Sequence, residues 1–166
     1  MLGNKINLLY VDDETNNLQA FTANFRNTFN LFTANSGQEG LELLSKNDIH
    51  VVLADQRMPT MTGVNFLKEV KKLYPKAIRI LITAYSDYSV IIEAVNNINI
   101  FRCLEKPFKE QEISKAINEA YEIYTIREDG KEIIKTLLKA NTDYEELLDN
   151  KKLMAKLILG SYINEN

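Results

Sequence analysis

The sequence predicts an α/β domain in which a five-stranded parallel sheet carries helices on both of its faces. Short apolar runs alternate along the chain with stretches whose apolar residues recur every three or four positions. The apolar runs are nearly continuous, as expected for strands that are buried on both faces. Because β–α–β connections are right-handed crossovers, the alternating helices would cover both faces. With 166 residues, of which 45% are hydrophobic, the chain can bury one core.

The predicted strands and helices follow one another in a regular order. The strands cover residues 6–11, 31–34, 50–55, 78–83 and 100–104. Apolar side chains at helical spacing lie between and after them: Phe21 and Phe25; Leu41 and Leu44; Phe66, Val70 and Leu73; Ile91 or Ile92 with Val95; and Ile113, Ala116, Ile117, Ala120 and Tyr124. Turn formers separate these elements: Ser36 and Gly37, Pro59 and Gly63, and Pro75.

The composition argues against several classes of function. A net charge of -3 and a pI near 5.3 give no support to a phosphate-seeking, nucleic-acid-binding surface. No apolar stretch approaches the roughly 20 residues that span a bilayer. A single cysteine, Cys103, cannot form an internal disulfide, and acidic residues interrupt the N-terminus before a secretory segment is built. We therefore expect a cytoplasmic protein without membrane insertion.

Polar residues gather where the predicted strands end. Asp12 and Asp13 follow the first strand, Asp55 ends the third, Thr83 ends the fourth and Lys106 follows the fifth. In a parallel sheet these ends share one edge, where open α/β sheets bind ligands. Crowded carboxylates need a cation, and oxygen ligands without a His or Cys cluster favour Mg²⁺ over zinc. The ammonium and the hydroxyl suit a transferred phosphoryl group.

Four segments at these strand ends carry a resemblance to a known family. "LLYVDDE", "VVLADQRMPTMTG", "RILITAY" and "CLEKPF" resemble the receiver domain of two-component response regulators, over about residues 5–124. The resemblance implies a flavodoxin-like sheet of strand order 2-1-3-4-5. The wording around Arg57 and Tyr85 is similar to receivers attached to phosphohydrolase, phosphatase or kinase outputs. A single Asp-Asp pair is more often a turn or helix cap, so the joint match of five positions carries the resemblance.

The resemblance also implies a role for each residue at the strand ends. Asp55 would accept the phosphoryl group from a sensor histidine kinase or a histidine phosphotransfer protein. Asp13, Asp55 and the backbone carbonyl of Arg57 would bind Mg²⁺, with Asp12 acting through a bound water. Thr83 would bond a phosphoryl oxygen. Lys106 would pair with the phosphoaspartate, and its peptide bond to Pro107 would be cis.

The sequence departs from the family pattern at one switch position. Receivers commonly carry an aromatic residue three positions before the lysine, where this chain has Cys103. We hypothesise that Phe101 takes over part of that role, or that switching depends on Thr83 and loop movement. Arg57 and Tyr85 would flank the phosphate and hinder an attacking water.

The segment after the first 124 residues is predicted to be a helical extension, residues 125–166. Asp129 and Gly130 indicate a break, and a seam with spacings of three and four follows at Ile134, Leu137, Asn141, Tyr144 and Leu148. The extension would form a coiled coil, dock on the receiver, link to an output module or remain a solvated helix. We expect a homodimer, through this helix or through a face made of the helix before the fifth strand, that strand and the helix after it.

Two classes of function remain open from the sequence. The first is a phosphorylation-dependent switch that catalyses its own phosphorylation and slow dephosphorylation, without being a metabolic enzyme. The second is a receiver-like scaffold that binds partners through its C-terminal helix independently of phosphorylation. A phosphohydrolase that uses an aspartyl phosphate is less favoured, because neither an added acid–base residue nor a capping element is visible.

Overall fold

The computed structural model describes residues 5–84, 92 and 98–140, with side chains described as far as residue 136. Its elements, in chain order, are β1 (Asn7–Val11), α1 (Thr15–Phe25), β2 (Asn30–Ala34), α2 (Gly37–Lys46), β3 (Val51–Asp55), α3 (Gly63–Leu73), β4 (Ile78–Thr83), β5 (Arg102–Glu105) and α4 (Glu110–Ala140). Tyr85, most of the helix predicted before the fifth strand, and the seam positions from Asn141 onward lie outside the described residues.

The sheet confirms the predicted fold class. All its strand pairs are parallel, and the order is β2-β1-β3-β4-β5. Side chains that alternate along the strands enter two apolar clusters on opposite faces. One cluster joins Leu9 and Val11 to Phe66 of α3, and the other joins Leu8 and Tyr10 to helices α1 and α4. Both faces are therefore buried, which accounts for the continuous apolar strands.

The boundaries of the helices follow the predicted signals closely. Ser36 caps α2 by accepting a hydrogen bond from the backbone N–H of Glu39, and Thr62 caps α3 in the same way through Asn65. The predicted stripe after the fifth strand is confirmed in α4, where Ile113, Ala116, Ile117 and Ala120 are all buried.

Three predicted details are wrong. The fifth strand starts at Arg102 instead of residue 100, because Asn99 has a positive φ of 53° that turns the chain just before it. Leu73 is 54% exposed, because it ends α3 and the following Tyr74 packs against the core in its place. Helix α4 continues through Asp129 and Gly130, since a glycine within a helix costs only about 1 kcal/mol.

The chain divides into two compact units, Met1–Tyr124 and Thr125–Asn166. The strand ends and the polar residues that follow them belong to the first unit. In the second unit, Lys131 pairs with Glu128 at 2.7 Å, one turn apart on the helix. In the parts of the chain that the structure describes, no helix is long and apolar enough to cross a membrane.

Candidate functional site

The sheet register places the predicted site residues at one edge. Val11 pairs with Ala54, so Asp12 and Asp55 follow at neighbouring positions where β1 and β3 end. The backbone N–H of Lys106 donates to the Thr83 carbonyl at 2.9 Å, which ties the residue after β5 to the end of β4. The carboxyl ends of four neighbouring strands, β1, β3, β4 and β5, thus bring acids, a hydroxyl and an ammonium to the same edge.

Lys106 bridges the two buried aspartates. Its Nζ lies 2.5 Å from Oδ1 of Asp55 and 3.1 Å from Oδ2 of Asp12. Asp55 is 6% exposed and Asp12 is 0% exposed. Burial to this depth without a charged or hydrogen-bonding partner would strongly disfavour the ionised form of a carboxyl group. Burial alone would lower the pKa of Lys106, but its bonds and charge interactions with Asp55 and Asp12 outweigh burial and raise it. The ammonium form is therefore the stable one.

Asp12 is held by donors from four residues. Oδ1 accepts from the backbone N–H of Glu14 at 2.9 Å and from the Asn17 amide at 3.1 Å. Oδ2 accepts from the Tyr10 hydroxyl at 2.6 Å, from the Asn17 amide at 3.1 Å and from Lys106. Burial would raise the pKa of Asp12, but the hydrogen bonds and the Lys106 charge together lower it. The carboxylate is thus kept ionised inside the domain.

Asp55 is fixed by the loop that follows β3. Its Oδ2 accepts from the backbone N–H of Arg57 at 2.7 Å. Gln56 closes the loop, because its carbonyl accepts from the Gly63 N–H and its side-chain oxygen accepts from the Val64 N–H, both at 3.1 Å. A Cβ at position 63 would overlap the Asp55 carbonyl oxygen, so only glycine fits there. The carboxylate is therefore held between a hydrogen-bonded loop and Lys106.

Of the remaining predicted residues, Thr83 and Asp13 lie at this edge of the sheet and Phe101 does not. Thr83 is buried at the end of β4, and Asp13 is half-buried directly after Asp12. Phe101 is not brought to this edge: it precedes β5, and its backbone N–H donates to the carbonyl of Arg79 at the start of β4. It packs in the cluster with α1 and α4, whereas Cys103 packs in the opposite cluster.

Two further predictions concern the backbone and the metal. The Lys106–Pro107 peptide bond is cis, as the resemblance implied. Within the described ranges, no group of three or more His, Cys, Asp or Glu side chains is arranged to hold a metal ion. Asp12 and Asp55 direct oxygens to the Lys106 ammonium instead.

Sequence reasoning missed three residues that shape the site. Tyr10 and Asn17 both bond Asp12, and Gln56 closes the Asp55 loop. Alternation along β1 gave a usable signal for Tyr10, because residues two apart on a strand share a face. Met58, to which the sequence gave no role, is 6% exposed and packs in the core cluster with α3.

Comparisons with known proteins identify the family of this chain. The model of the response regulator receiver domain family matches residues 8–118. The chain belongs to this family. The hydrogenase transcriptional regulatory protein HoxA of Cupriavidus necator is 36% identical over 122 residues, which are 74% of this chain and 25% of HoxA. This receiver chain thus spans about a quarter of the length of that curated relative.

Solved receiver structures have the same fold along their whole length. A response regulator receiver domain protein from Clostridium thermocellum is 32% identical with a TM-score of 0.69, covering 73% of this chain and 98% of that one. The signal receiver domain of an HD domain-containing protein from Pseudomonas fluorescens is 28% identical with a TM-score of 0.70, covering 74% and 98%. The curated relatives AtoC and ZraR of Escherichia coli are named as regulatory proteins, in keeping with a regulatory family.

Proposed function

We propose that this receiver accepts a phosphoryl group on Asp55 from a phosphohistidine of a sensor histidine kinase or a histidine phosphotransfer protein. The observation that carries the proposal is the single ammonium of Lys106 between the buried carboxylates of Asp55 and Asp12. Lys106 lies beside Oδ1 of Asp55, and Oδ2 of Asp55 accepts from the backbone N–H of Arg57 in the loop that follows β3. Such preorganised donors stabilise developing charge without reorganisation.

The transfer follows from the chemistry of a carboxylate nucleophile. A lone pair of an Asp55 carboxylate oxygen attacks the phosphorus, and the phosphorus–nitrogen bond of the phosphohistidine breaks. The leaving imidazole nitrogen keeps the electron pair of that bond and takes up a proton. Lys106 offsets negative charge on the transferring oxygens, and the Thr83 hydroxyl bonds one of them. Water later attacks the phosphorus, which releases inorganic phosphate and restores the Asp55 carboxylate.

The acidic residues of this edge fit a hard divalent cation. Asp12, Asp13 and Asp55 carry three negative charges, against which Lys106 supplies one positive charge, and all the donor atoms are oxygens. Asp13, Asp55 and the Arg57 carbonyl would hold Mg²⁺, with Asp12 reached through a water. When bound, the ion would draw charge from the phosphoryl oxygens.

The conformational response to phosphorylation would begin at the residues next to Asp55. A phosphoryl group on Asp55 would attract Thr83, and the chain after β4 would move with it. This movement would favour the active arrangement of the helix predicted before β5 and of β5 itself. With Cys103 at the usual aromatic position, Thr83 carries this response and Phe101 remains a second candidate. We also propose that the receiver forms a homodimer, acts in the cytoplasm and switches a partner protein or an output module.

A groove beside Lys106 is suited to the phosphodonor. Its volume is about 520 Å³, and Asn17, Phe21, Phe25 and Phe108 line it together with Lys106. Aromatic walls with a few polar groups are typical of protein and ligand contact sites. A donor that docks here brings its phosphohistidine to the edge on which Asp55 lies.

Mass spectrometry after incubation with acetyl phosphate and Mg²⁺ tests the proposal. We expect the wild type to gain one phosphoryl group and Asp55→Asn to gain none. Asp48→Asn is the matched control, because Asp48 is an exposed aspartate close to His50, at the other end of β3, and it should be phosphorylated like the wild type. Failure of the wild type to gain phosphate would favour the scaffold function, and equal labelling of Asp55→Asn would move the acceptor elsewhere.

A further inference from the structure

Tyr10 is a core residue with its hydroxyl at the acceptor site. The side chain is 1% exposed, and its ring stacks on Phe21 with centroids 4.2 Å apart. The hydroxyl donates to Oδ2 of Asp12 at 2.6 Å, the same oxygen that lies 3.1 Å from Lys106. Tyr10 and Lys106 therefore share one acceptor atom.

Donors of the protein contact both oxygens of the Asp12 carboxylate. A carboxylate offers about four lone-pair positions, and Tyr10, Glu14, Asn17 and Lys106 together make five contacts with it. If Lys106 leaves, the three other residues still donate to Asp12. Asn17 is half-buried, so water can replace its amide, whereas the Tyr10 side chain is almost fully buried.

We propose that Tyr10 is a positioning residue that keeps Lys106 available to the incoming phosphoryl group. Its neutral hydroxyl takes up part of the Asp12 charge, which weakens the hold of Asp12 on the ammonium. When a phosphoryl group approaches Asp55, Lys106 can then turn from Asp12 to the phosphoryl oxygens without leaving Oδ2 unsatisfied. This role rests on the proposed phosphorylation of Asp55. Burial and the neighbouring acids raise the pKa of Tyr10, which keeps the hydroxyl protonated as a donor.

Phosphorylation kinetics of Tyr10→Phe test the role. Phenylalanine retains the ring against Phe21 and removes only the hydroxyl, and we expect phosphorylation by acetyl phosphate to slow about five-fold, the worth of one hydrogen bond. Tyr74→Phe is the matched control, because Tyr74 follows α3 at the opposite end of the sheet, and its rate should equal that of the wild type. Thermal unfolding of each variant verifies the fold.

A double-mutant comparison separates this role from a structural one. If Tyr10 acts through Asp12, Tyr10→Phe should slow the reaction no further in an Asp12→Asn background. A general loss of packing would instead give the same slowing in both backgrounds and would overturn the proposal. Should Tyr10→Phe fail to fold, Asn17→Ala removes a donor from the same carboxylate and is tested in its place; the slowing should have the same direction but be smaller, because water can partly replace the amide, and no slowing at all would overturn the proposal.

A measurement without Mg²⁺ or phosphodonor keeps the inference distinct from the proposed function. The ζ protons of Lys106, followed by NMR, should exchange with water more slowly in Tyr10→Phe, because Asp12 then holds the ammonium more firmly. Absence of phosphorylation in the wild type would contradict the proposed function while leaving this result intact. A phosphorylated wild type with unchanged rate and unchanged exchange in Tyr10→Phe would overturn the role of Tyr10 alone.

Discussion

The two ends of the sheet both contain polar groups that are at least half-buried, but they satisfy them in opposite ways. At the amino end, Nδ1 of His50 accepts from the backbone N–H of Asn7 at 3.1 Å, and the ring lies against Tyr121 and Tyr124 with centroids 5.1 and 4.7 Å away. Burial lowers the pKa of His50, although Asp48 opposes it, so the imidazole is neutral. At the carboxyl end, two buried carboxylates share the charge of Lys106.

The amino end thus holds a neutral polar group, whereas the carboxyl end holds charged groups whose charges are not balanced. The neutral ring of His50, with a backbone donor at Nδ1 and two tyrosine rings beside it, carries no charge that needs a counter-ion. The carboxyl end keeps an excess of negative charge in a low-dielectric position, which a second cation or a bound group with its own ion would balance. Perturbed charged groups of this kind are typical of functional sites.

Loss of the shared cation should produce the largest difference between the two ends. Lys106→Met removes the positive charge beside Asp55, and we expect the rate of phosphorylation by acetyl phosphate to fall about 100-fold. His50→Gln, at the other end, retains a hydrogen-bond acceptor and should phosphorylate at the wild-type rate. Comparable losses in both variants would show that the carboxyl end has no special part in the reaction.

Loss of the Lys106 charge should also lower the stability of the fold, although this effect is smaller than the effect on the phosphorylation rate. Lys106→Met leaves Asp12 and Asp55 facing each other without their cation, and we expect the free energy of unfolding to fall by about 2 kcal/mol in urea titrations. Asp12→Asn in the same chain removes the repulsion and should restore part of that loss. If the double variant is less stable than Lys106→Met, the carboxylates are not destabilised by each other.

The sequence predicted that Asp55 and Lys106 face each other, because chemistry and topology converged there. Asp55 and Lys106 follow strands whose order is set by alternating helices, so their common edge could be predicted from the pattern alone. The start of β5 could not, because the left-handed turn at Asn99 is a property of one residue and the apolar run continues across it. Asn17 and Gln56 act through side-chain amides whose partners depend on loop geometry, which leaves no periodic signal.

The pH dependence of stability should divide the two ends by their titrating groups. The folded pKa of His50, the only histidine of the chain, is lowered, so its contribution is lost as the pH falls below about 6.5. The folded pKa of Asp12 is also lowered, and its contribution is lost only below about pH 3.9. We therefore expect the free energy of unfolding to fall in two stages on acidification.

Urea unfolding at a series of pH values distinguishes the stages. His50→Gln cannot titrate near neutrality, so it should remove the slope that begins below about pH 6.5 while leaving the acid stage. Asp12→Asn should reduce the acid stage and leave the first one. A wild-type slope that persists in His50→Gln would mean that the imidazole is not held neutral at the amino end, and the contrast between the two ends would then rest on the carboxyl end alone.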